Sequence, residues 1–487
     1  MLAVFYRNRQ KYEKSQGIQP AARIIDKRSG ISYNRKRSFL RGVIMVNFTR
    51  EDIIRRVRED EIDFISMQFT DVFGRMKNVS ISSAQIEKAL DNKIAMDGSS
   101  IEGFTRIHES DQYLYPDLNS FAILPWHKEH GKVARLICDV YNPDGTPFEG
   151  DPRYVLKRIL KKAESMGFTF NAGPECEFFL FEEDKYGKPT PKTQDEAGYF
   201  DLGPFDKGEI MRQRLCLTLE EMGFNIEASH HESAAGQHEI GFKYDEALRA
   251  ADNIATFKVA AKTLSQEHGF HATFMPKPIF GVPGSGMHTN MSLMQDGRNI
   301  FFDESDERGL SEEAYGFIAG LMEHIKGMSA ILNPLVNSYK RLVSGFEAPC
   351  YVTWSASNRS ALIRIPSERG EGTRVELRSP DPAANPYLAL AVCLAAGLDG
   401  IERALEPPRE VTGNVYGFCE DVRRSKGVEK LPENLFEAVK HMCQDSLIVE
   451  TLGEHVYNAY VEGKLKEWEE YNTQVTSWEI DKYLVIY

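Results

Sequence analysis

Four short segments of this 487-residue chain alternate polar and apolar side chains with a period of two. Residues two apart on a β-strand point to the same side, so each segment reads as a strand with one chemical face and one buried face. In residues 173–179, Glu175 and Glu177 share a face while Cys176 and Phe178 point the other way. Gln237 and Glu239 stand opposite His238 and Ile240. Further on, His288, Asn290 and Ser292 alternate with Met287, Met291 and Leu293, and Arg374, Glu376 and Arg378 alternate with Val375 and Leu377. Strands lining one cavity would gather Glu175, Glu177, Glu239, Glu376 and His288, with Glu232 close by on the segment His230-His231-Glu232.

Such a cavity needs cations. Carboxylates about 4 Å apart repel by roughly 4 kcal/mol per pair at an effective dielectric near 20, before any desolvation cost. Hard oxygen ligands with a single imidazole suit Mg²⁺ or Mn²⁺, and this donor set suffices for two ions, an arrangement suited to phosphoryl chemistry or hydrolysis. Each feature alone has a plainer reading. A lone Glu-x-Glu is more often a solvated strand face, and His288 alone would more often be a satisfied core histidine. Their joint occurrence on separate alternating strands outweighs that reading. Next comes an arginine cluster, Arg341, Arg359, Arg364, Arg374 and Arg378, whose planar guanidinium forks match carboxylate and phosphate oxygens. The glycine-rich stretch 277–286 lets backbone approach a ligand, but it carries neither a Walker nor a dinucleotide-binding pattern.

The chain is too long for one ordinary core. Thr49-x-x-Asp52 caps a helix containing Ile53, Ile54 and Val57, followed by strands at Phe64–Phe69, Val79–Ile81 and Arg135–Tyr141, so residues 45–148 read as a small domain. Asp151-Pro152 starts a helix that Gly167 stops, and from there strands alternate with helices at Glu209–Met222 and Asp245–His268. The class is α+β, with residues 149–487 as the larger domain. Seven scattered cysteines without a CxxC pair indicate a reducing cytoplasm. Residues 1–44 hold 11 Lys and Arg against 2 Asp and Glu; a transit peptide or an interaction tail would fit that composition, and the plainer reading, a basic disordered extension, is preferred. The rest is therefore more acidic than the net charge of −13 indicates, which disfavours nucleic acid, and no apolar run reaches membrane-spanning length.

Taken together, Asp97-Gly98-Ser99-Ser100, Glu175-Cys176-Glu177, His230-His231-Glu232 to Glu239, Lys277-Pro278 to His288-x-x-x-Ser292, Asn337 to Leu342, Asn358-Arg359-Ser360 and Asp381 to Tyr387 resemble bacterial type I glutamine synthetase. The resemblance runs from about residue 48 to the C-terminus. It implies a β-grasp N-terminal domain, a catalytic domain on a partly open antiparallel β-barrel with surrounding helices, and a homo-dodecamer of two stacked hexamers with active sites between subunits. It further implies that Glu177, Glu232 and Glu239 hold one metal, and Glu175, His288 and Glu376 the other. Glutamate would be bound by Arg341, helped by Gly284, Glu177, Arg359 and Arg378, and ATP by Ser292, Arg359, Arg364 and Arg374. Arg359 and Arg378 would also hold the transferring phosphoryl group. Glu347 would sit on a closing flap, and Asp97 of the adjacent subunit would bind ammonium and take its proton.

Some positions depart from the family pattern. Pro283 stands where an Asn is common, Ser344 and Phe346 replace the usual Pro and Tyr beside Glu347, and Pro380 replaces an aliphatic residue. The segment Asn414-Val415-Tyr416 lacks the Asp-Leu-Pro-Pro continuation of adenylylated subtypes. The resemblance is therefore to the feedback-inhibited subtype, in which Arg106 would take part and nitrogen-regulatory proteins would dock. A rival reading is a ligase joining glutamate to a polyamine or another amine; the Asp97-Gly98-Ser99-Ser100 motif favours ammonia. A second rival, a non-catalytic regulatory or assembly protein, is opposed by the filled metal positions.

Overall fold

The computed structural model describes residues 47–104, 111–127, 131–413, 415–418 and 420–487. The basic extension, Arg106 and Asn414 lie outside the described residues. Residues 47–487 form one compact unit. Its first helix, α1 (Arg50–Glu59), opens with the expected capping box: Thr49 accepts from the Asp52 amide, and the Asp52 carboxylate accepts from the Thr49 amide. A sheet follows, built from β1 (Phe64–Thr70), β2 (Met76–Ser82), β3 (Ile94–Asp97), β4 (Asp111–Pro116), β5 (Ala122–Ile123) and β6 (Val133–Tyr141). Its order is β2-β1-β6-β4-β3, with β5 beside β6 and β1 parallel to β6.

The larger sheet contains β7 (Thr169–Glu183), β8 (Pro189–Thr193), β9 (Ile226–His231), β10 (Gln237–Phe242), β11 (Asp245–Glu246), β12 (Phe270–Thr273), β13 (Met287–Gln295), β14 (Arg298–Asn299), β15 (Trp354–Ser355), β16 (Ile363–Arg364) and β17 (Val375–Leu377). Its main path runs β15-β16-β17-β13-β7-β10-β9, and β8, β11 and β12 also pair with β7. The path is antiparallel except where β15 meets β16. Asp245 and Glu246, expected at the head of a helix, instead pair with Ala172 and Asn171 of β7 and remain extended.

Behind this sheet pack α2 (Pro152–Ser165), α3 (Glu209–Glu221), α4 (Ala247–Glu267), α5 (Glu312–Leu332) and α6 (Pro386–Glu402). Asp151 caps α2, with Pro152 at its first position; Asn385 and Pro386 open α6 the same way. Helices α5 and α6 touch through glycines: a Cβ on Gly320 would lie 2.0 Å from the Ala396 carbonyl oxygen. On β7, Phe170, Ala172, Cys176, Phe178 and Leu180 enter the helical core, where Phe178 meets Phe257 of α4 edge to face at 5.8 Å.

A buried arginine ties the small sheet to these helices. The guanidinium of Arg153 on α2 donates to Asp139 of β6 and to Asp117 after β4, each at 2.6 Å, and to both oxygens of Asp252 on α4 at 3.0 Å. Tyr387 of α6 donates to Asp252 as well, at 2.8 Å. Removing the cation strands its carboxylates in a low-dielectric interior, a change that typically costs about 3 to 5 kcal/mol. Arg153→Met is therefore expected to lower the urea midpoint by a corresponding amount, and a midpoint equal to that of the parent would contradict this role.

Candidate active site

Strand register builds the site. Pairing of β7 with β10 sets Glu177 opposite Glu239, and pairing of β10 with β9 sets Glu239 opposite His230. On the other edge of β7, Glu175 faces His288 of β13; beyond it, Asn290, Glu376 and Arg364 stand level on β13, β17 and β16. All of these side chains except Asn290 line a cleft of about 480 Å³. Its lining also includes Glu232, Gly284, Arg341, Glu347, Arg359 and Arg378.

Two groups of metal-type ligand atoms converge there, each within 4.8 Å: Glu175, His288 and Glu376, and His230, Glu232 and Glu239. The first is the triad expected from sequence. In the second, His230 joins the expected Glu232 and Glu239, with its ring nitrogens 3.3 Å from each. The Glu177 carboxylate lines the same cleft but accepts from the Gln237 amide at 2.8 Å and the Gly286 amide at 3.0 Å. His230 is the residue that sequence reasoning passed over. Its signal was the β9–β10 hairpin register, which puts it across from Glu239. Tyr199 was missed too; it lines the cleft and stacks on Phe200 at 4.0 Å.

Crowded charge shows in the proton affinities. Burial and then the Glu239 and Glu376 carboxylates push Glu175 up to about 7. Burial and Glu239 push Glu232 up to about 7. Glu177 is held well above the usual carboxylate range by burial and by Glu232 and Glu239. Burial and the guanidinium groups of Arg378, Arg341 and Arg364 drive His288 well below the ordinary imidazole value, leaving it neutral, the form that ligates metal. Oxygen donors with raised proton affinity beside a neutral imidazole fit a hard divalent cation.

The arginines divide. Arg341 is buried, donating to the Ser379 carbonyl at 2.7 Å and the Arg378 carbonyl at 3.1 Å. Arg364 and Arg378 ion-pair with Glu376. Arg374, outside the cleft lining, is turned to Asn290, Gly372 and Glu368. Ser292 also lies outside the lining, on β13 opposite Asn171. Gly284 is required by close packing, since a Cβ there would lie 2.2 Å from the Pro276 carbonyl oxygen. Asp97 is exposed at the end of β3, away from this cleft, its carboxylate held below the usual value by the Ser99 hydroxyl and amide.

A carboxylate-and-arginine cleft on a half-barrel sheet, beside a β-grasp sheet, defines a metal-dependent enzyme of phosphoryl chemistry. The chain matches the family described as "Glutamine synthetase, catalytic domain" over residues 149–483 and "Glutamine synthetase, beta-Grasp domain" over residues 61–143. It is 60% identical over 440 residues to a glutamine synthetase of Clostridium saccharobutylicum, covering 90% of this chain and 99% of that one. A glutamine synthetase of Staphylococcus aureus is 56% identical over 441 residues, with the same coverage. The solved structure of GmaS in complex with ADP superposes with a TM-score of 0.82 at 35% identity, covering 89% of this chain and 99% of that one. Plasmodium falciparum glutamine synthetase, at 24% identity, 90% and 99% coverage and a TM-score of 0.80, shares the fold. The chain belongs to the glutamine synthetase family, whose members depend on ATP and divalent metal. Its reaction is the ATP-driven ligation of ammonia to the γ-carboxylate of L-glutamate through γ-glutamyl phosphate.

The raised carboxyls set a pH dependence. The folded value of Glu175, about 7, lies above its ordinary 4.5, so the native state holds the extra proton. The stability this contributes is full below the unfolded value and is lost as pH rises through the folded one. Without divalent cation, Glu175→Gln is expected to gain stability relative to the parent as pH rises from about 5 to about 8. Urea midpoints whose difference stays constant across that range would refute the assignment.

Proposed function

We propose that this cleft holds two divalent cations, Mg²⁺ or Mn²⁺, together with L-glutamate and the phosphate end of ATP. The observation that carries the reading is the convergence of two ligand triads beside buried and cleft-lining arginines. Glu175, His288 and Glu376 hold one ion, and Glu177, Glu232 and Glu239 hold the other, with His230 between the last two. When bound, the ions neutralise the phosphate oxygens and the crowded carboxylates, and bring ATP to the γ-carboxylate of glutamate.

Arg341 is the anchor for a glutamate carboxylate. Its guanidinium is fixed by two backbone carbonyls and so needs no reorganisation on binding. Gly284 brings backbone close to the substrate, and Pro283 beside it offers no amide donor, so glutamate leans on the arginines. Arg359 and Arg378 stabilise charge on the transferring phosphoryl group, and Arg364 assists at the ATP phosphates. Arg374 reaches ATP only by leaving its contacts with Asn290, Gly372 and Glu368, and Ser292 acts from β13 outside the cleft lining. The Glu347 loop closes over the acyl phosphate and keeps water out.

Asp97, exposed at the edge of the small sheet, serves the active site of a neighbouring subunit, where it binds ammonium and takes its proton. Exposure away from its own cleft supports that reading, which belongs with a homo-dodecamer of two stacked hexamers in the reducing cytoplasm. The family matches, ending at residue 143 and beginning at 149, support a division between residues 148 and 149.

We assign the chain to the feedback-inhibited type I subtype, with Arg106 in the inhibitory response and nitrogen-regulatory proteins as partners. The supporting observation is the sequence after Tyr416, Gly417-Phe418 in place of a proline-rich continuation. Intact-protein mass spectrometry from nitrogen-replete cells is expected to find Tyr416 unmodified; AMP on it would reverse the subtype assignment. In the γ-glutamyl hydroxamate assay with Mg²⁺ or Mn²⁺, Glu177→Ala and Glu239→Ala are each expected to lose more than about a hundredfold, beyond the usual loss for an outer-shell partner. Activity persisting in either variant would remove that carboxylate from the site.

A further inference from the structure

The loop carrying Glu347 is held at two points, one on each side of that residue. On the near side, Phe346 presents its ring to the Lys277 ammonium, 3.9 Å from the ring centroid. Lys277 is buried, its Nζ also donates to the Val282 carbonyl, and its backbone is locked to Asn337. The Lys277 amide donates to Asn337 Oδ1 at 2.8 Å, and Asn337 Nδ2 returns a bond to the Lys277 carbonyl at 3.0 Å. On the far side, the Tyr416 hydroxyl donates to the Ala348 carbonyl at 2.6 Å.

At Glu347, between these anchors, and at Gly345 just before them the backbone is in an unusual conformation. Gly345 has φ of 96° and Glu347 has φ of 59°. For a residue with a side chain the left-handed region is disfavoured, so surrounding contacts must hold Glu347 there. Phe346, Glu347 and Ala348 line the cleft, whereas Lys277 and Tyr416 do not. Both anchors touch the loop, and Tyr416 also lies within electrostatic reach of Arg378, Arg341 and Glu347.

We propose that Lys277 and Tyr416 are positioning residues that latch the Glu347 loop closed, and so set how γ-glutamyl phosphate partitions between ammonia and water. The proposal rests on the reading of Glu347 as the closing residue. With ammonia, the new C–N bond forms at the carbon of the γ-carboxyl group, the C–O bond to phosphate breaks, the ammonium nitrogen gives up its surplus protons, and glutamine and phosphate leave. With water, a C–O bond forms instead, one proton is lost, and glutamate and phosphate leave. Every turnover thus releases one phosphate per ATP, but only the first route yields glutamine.

The test measures phosphate released against glutamine formed by the full-chain enzyme at saturating glutamate, ATP, Mg²⁺ and ammonium. The parent is expected to release them equally. In Lys277→Met and Tyr416→Phe the open-loop population is expected to rise about fivefold, the change that goes with losing one ordinary hydrogen bond or its equivalent, so that phosphate comes to exceed glutamine. Lys277→Arg keeps a cation over the ring and is expected to restore coupling. A fall in kcat with phosphate and glutamine still equal in both variants would overturn the latch, as would Lys277→Arg behaving like Lys277→Met. Tyr416→Phe deletes a single oxygen and keeps the ring, so it decides the question if Lys277→Met does not fold. A parent making no glutamine would instead defeat the functional reading, which keeps the two failures distinct.

Discussion

Everything in the catalytic half of the molecule depends on β7 having two incompatible faces. One buries Phe170, Cys176, Phe178 and Leu180 against helices; the other carries Glu175 and Glu177 into a crowded cleft. A slip of one residue would exchange carboxylates for aromatic rings and put charge in the core. Burial on the helical side therefore fixes the register, and the register fixes which acids meet. Charge crowding on the open face follows from that arrangement and is held in place by it.

The like charges persist because their neighbours are arranged to offset them without water. Gln237 and the Gly286 amide donate to Glu177, Asn290 donates to Glu175 at 3.0 Å, and Arg364 and Arg378 pair with Glu376. His230 lies between Glu232 and Glu239; burial works against its protonation, but the Glu239 hydrogen bond and both acids raise its proton affinity. Fixed donors of this kind stabilise charge that develops in a transition state without having to turn during the reaction. The same donors hold the acids where a divalent ion needs them.

Much of this was legible in sequence because it is local. Period-two alternation placed Glu175 and Glu177, Gln237 and Glu239, and His288 and Asn290 on their correct faces, and the Thr49 and Asp151 caps marked their helices. What was not legible depends on partners distant in the chain. His230 takes its place from a hairpin register, and one oxygen of Glu177 is held by an amide of Gly286, 109 residues away. Arg374 looks equivalent to Arg378 by spacing, yet it is drawn off by Asn290 and Glu368. The two-residue strand Asp245–Glu246 shows the same effect: helix signals reach as far as Asp245, but an open edge of β7 takes those residues first.

The two halves of the ligand set rest on different foundations. Beneath Glu175 and Glu177, Phe178 packs on Phe257 in an apolar layer. Beneath Glu232 and Glu239 lies a buried polar network instead. Arg212 donates to His238 Nδ1 at 2.7 Å and pairs with Asp206 at 2.7 Å, while Asp195 meets His231 Nε2 at 3.1 Å and accepts the Gly236 amide at 3.0 Å. His231 Nδ1 in turn lies 2.7 Å from the Glu232 carbonyl oxygen, so the network reaches the backbone of a cleft residue. Apolar packing tolerates small shifts, whereas a satisfied buried network fixes direction and is costly to disturb. The hairpin half needs that constraint more, because β9 ends the sheet path and, among the described strands, pairs with β10 alone. Its ligand atoms can match the spacing set by the spine strand only if hydrogen bonds supply the rigidity that packing on two sides gives β7.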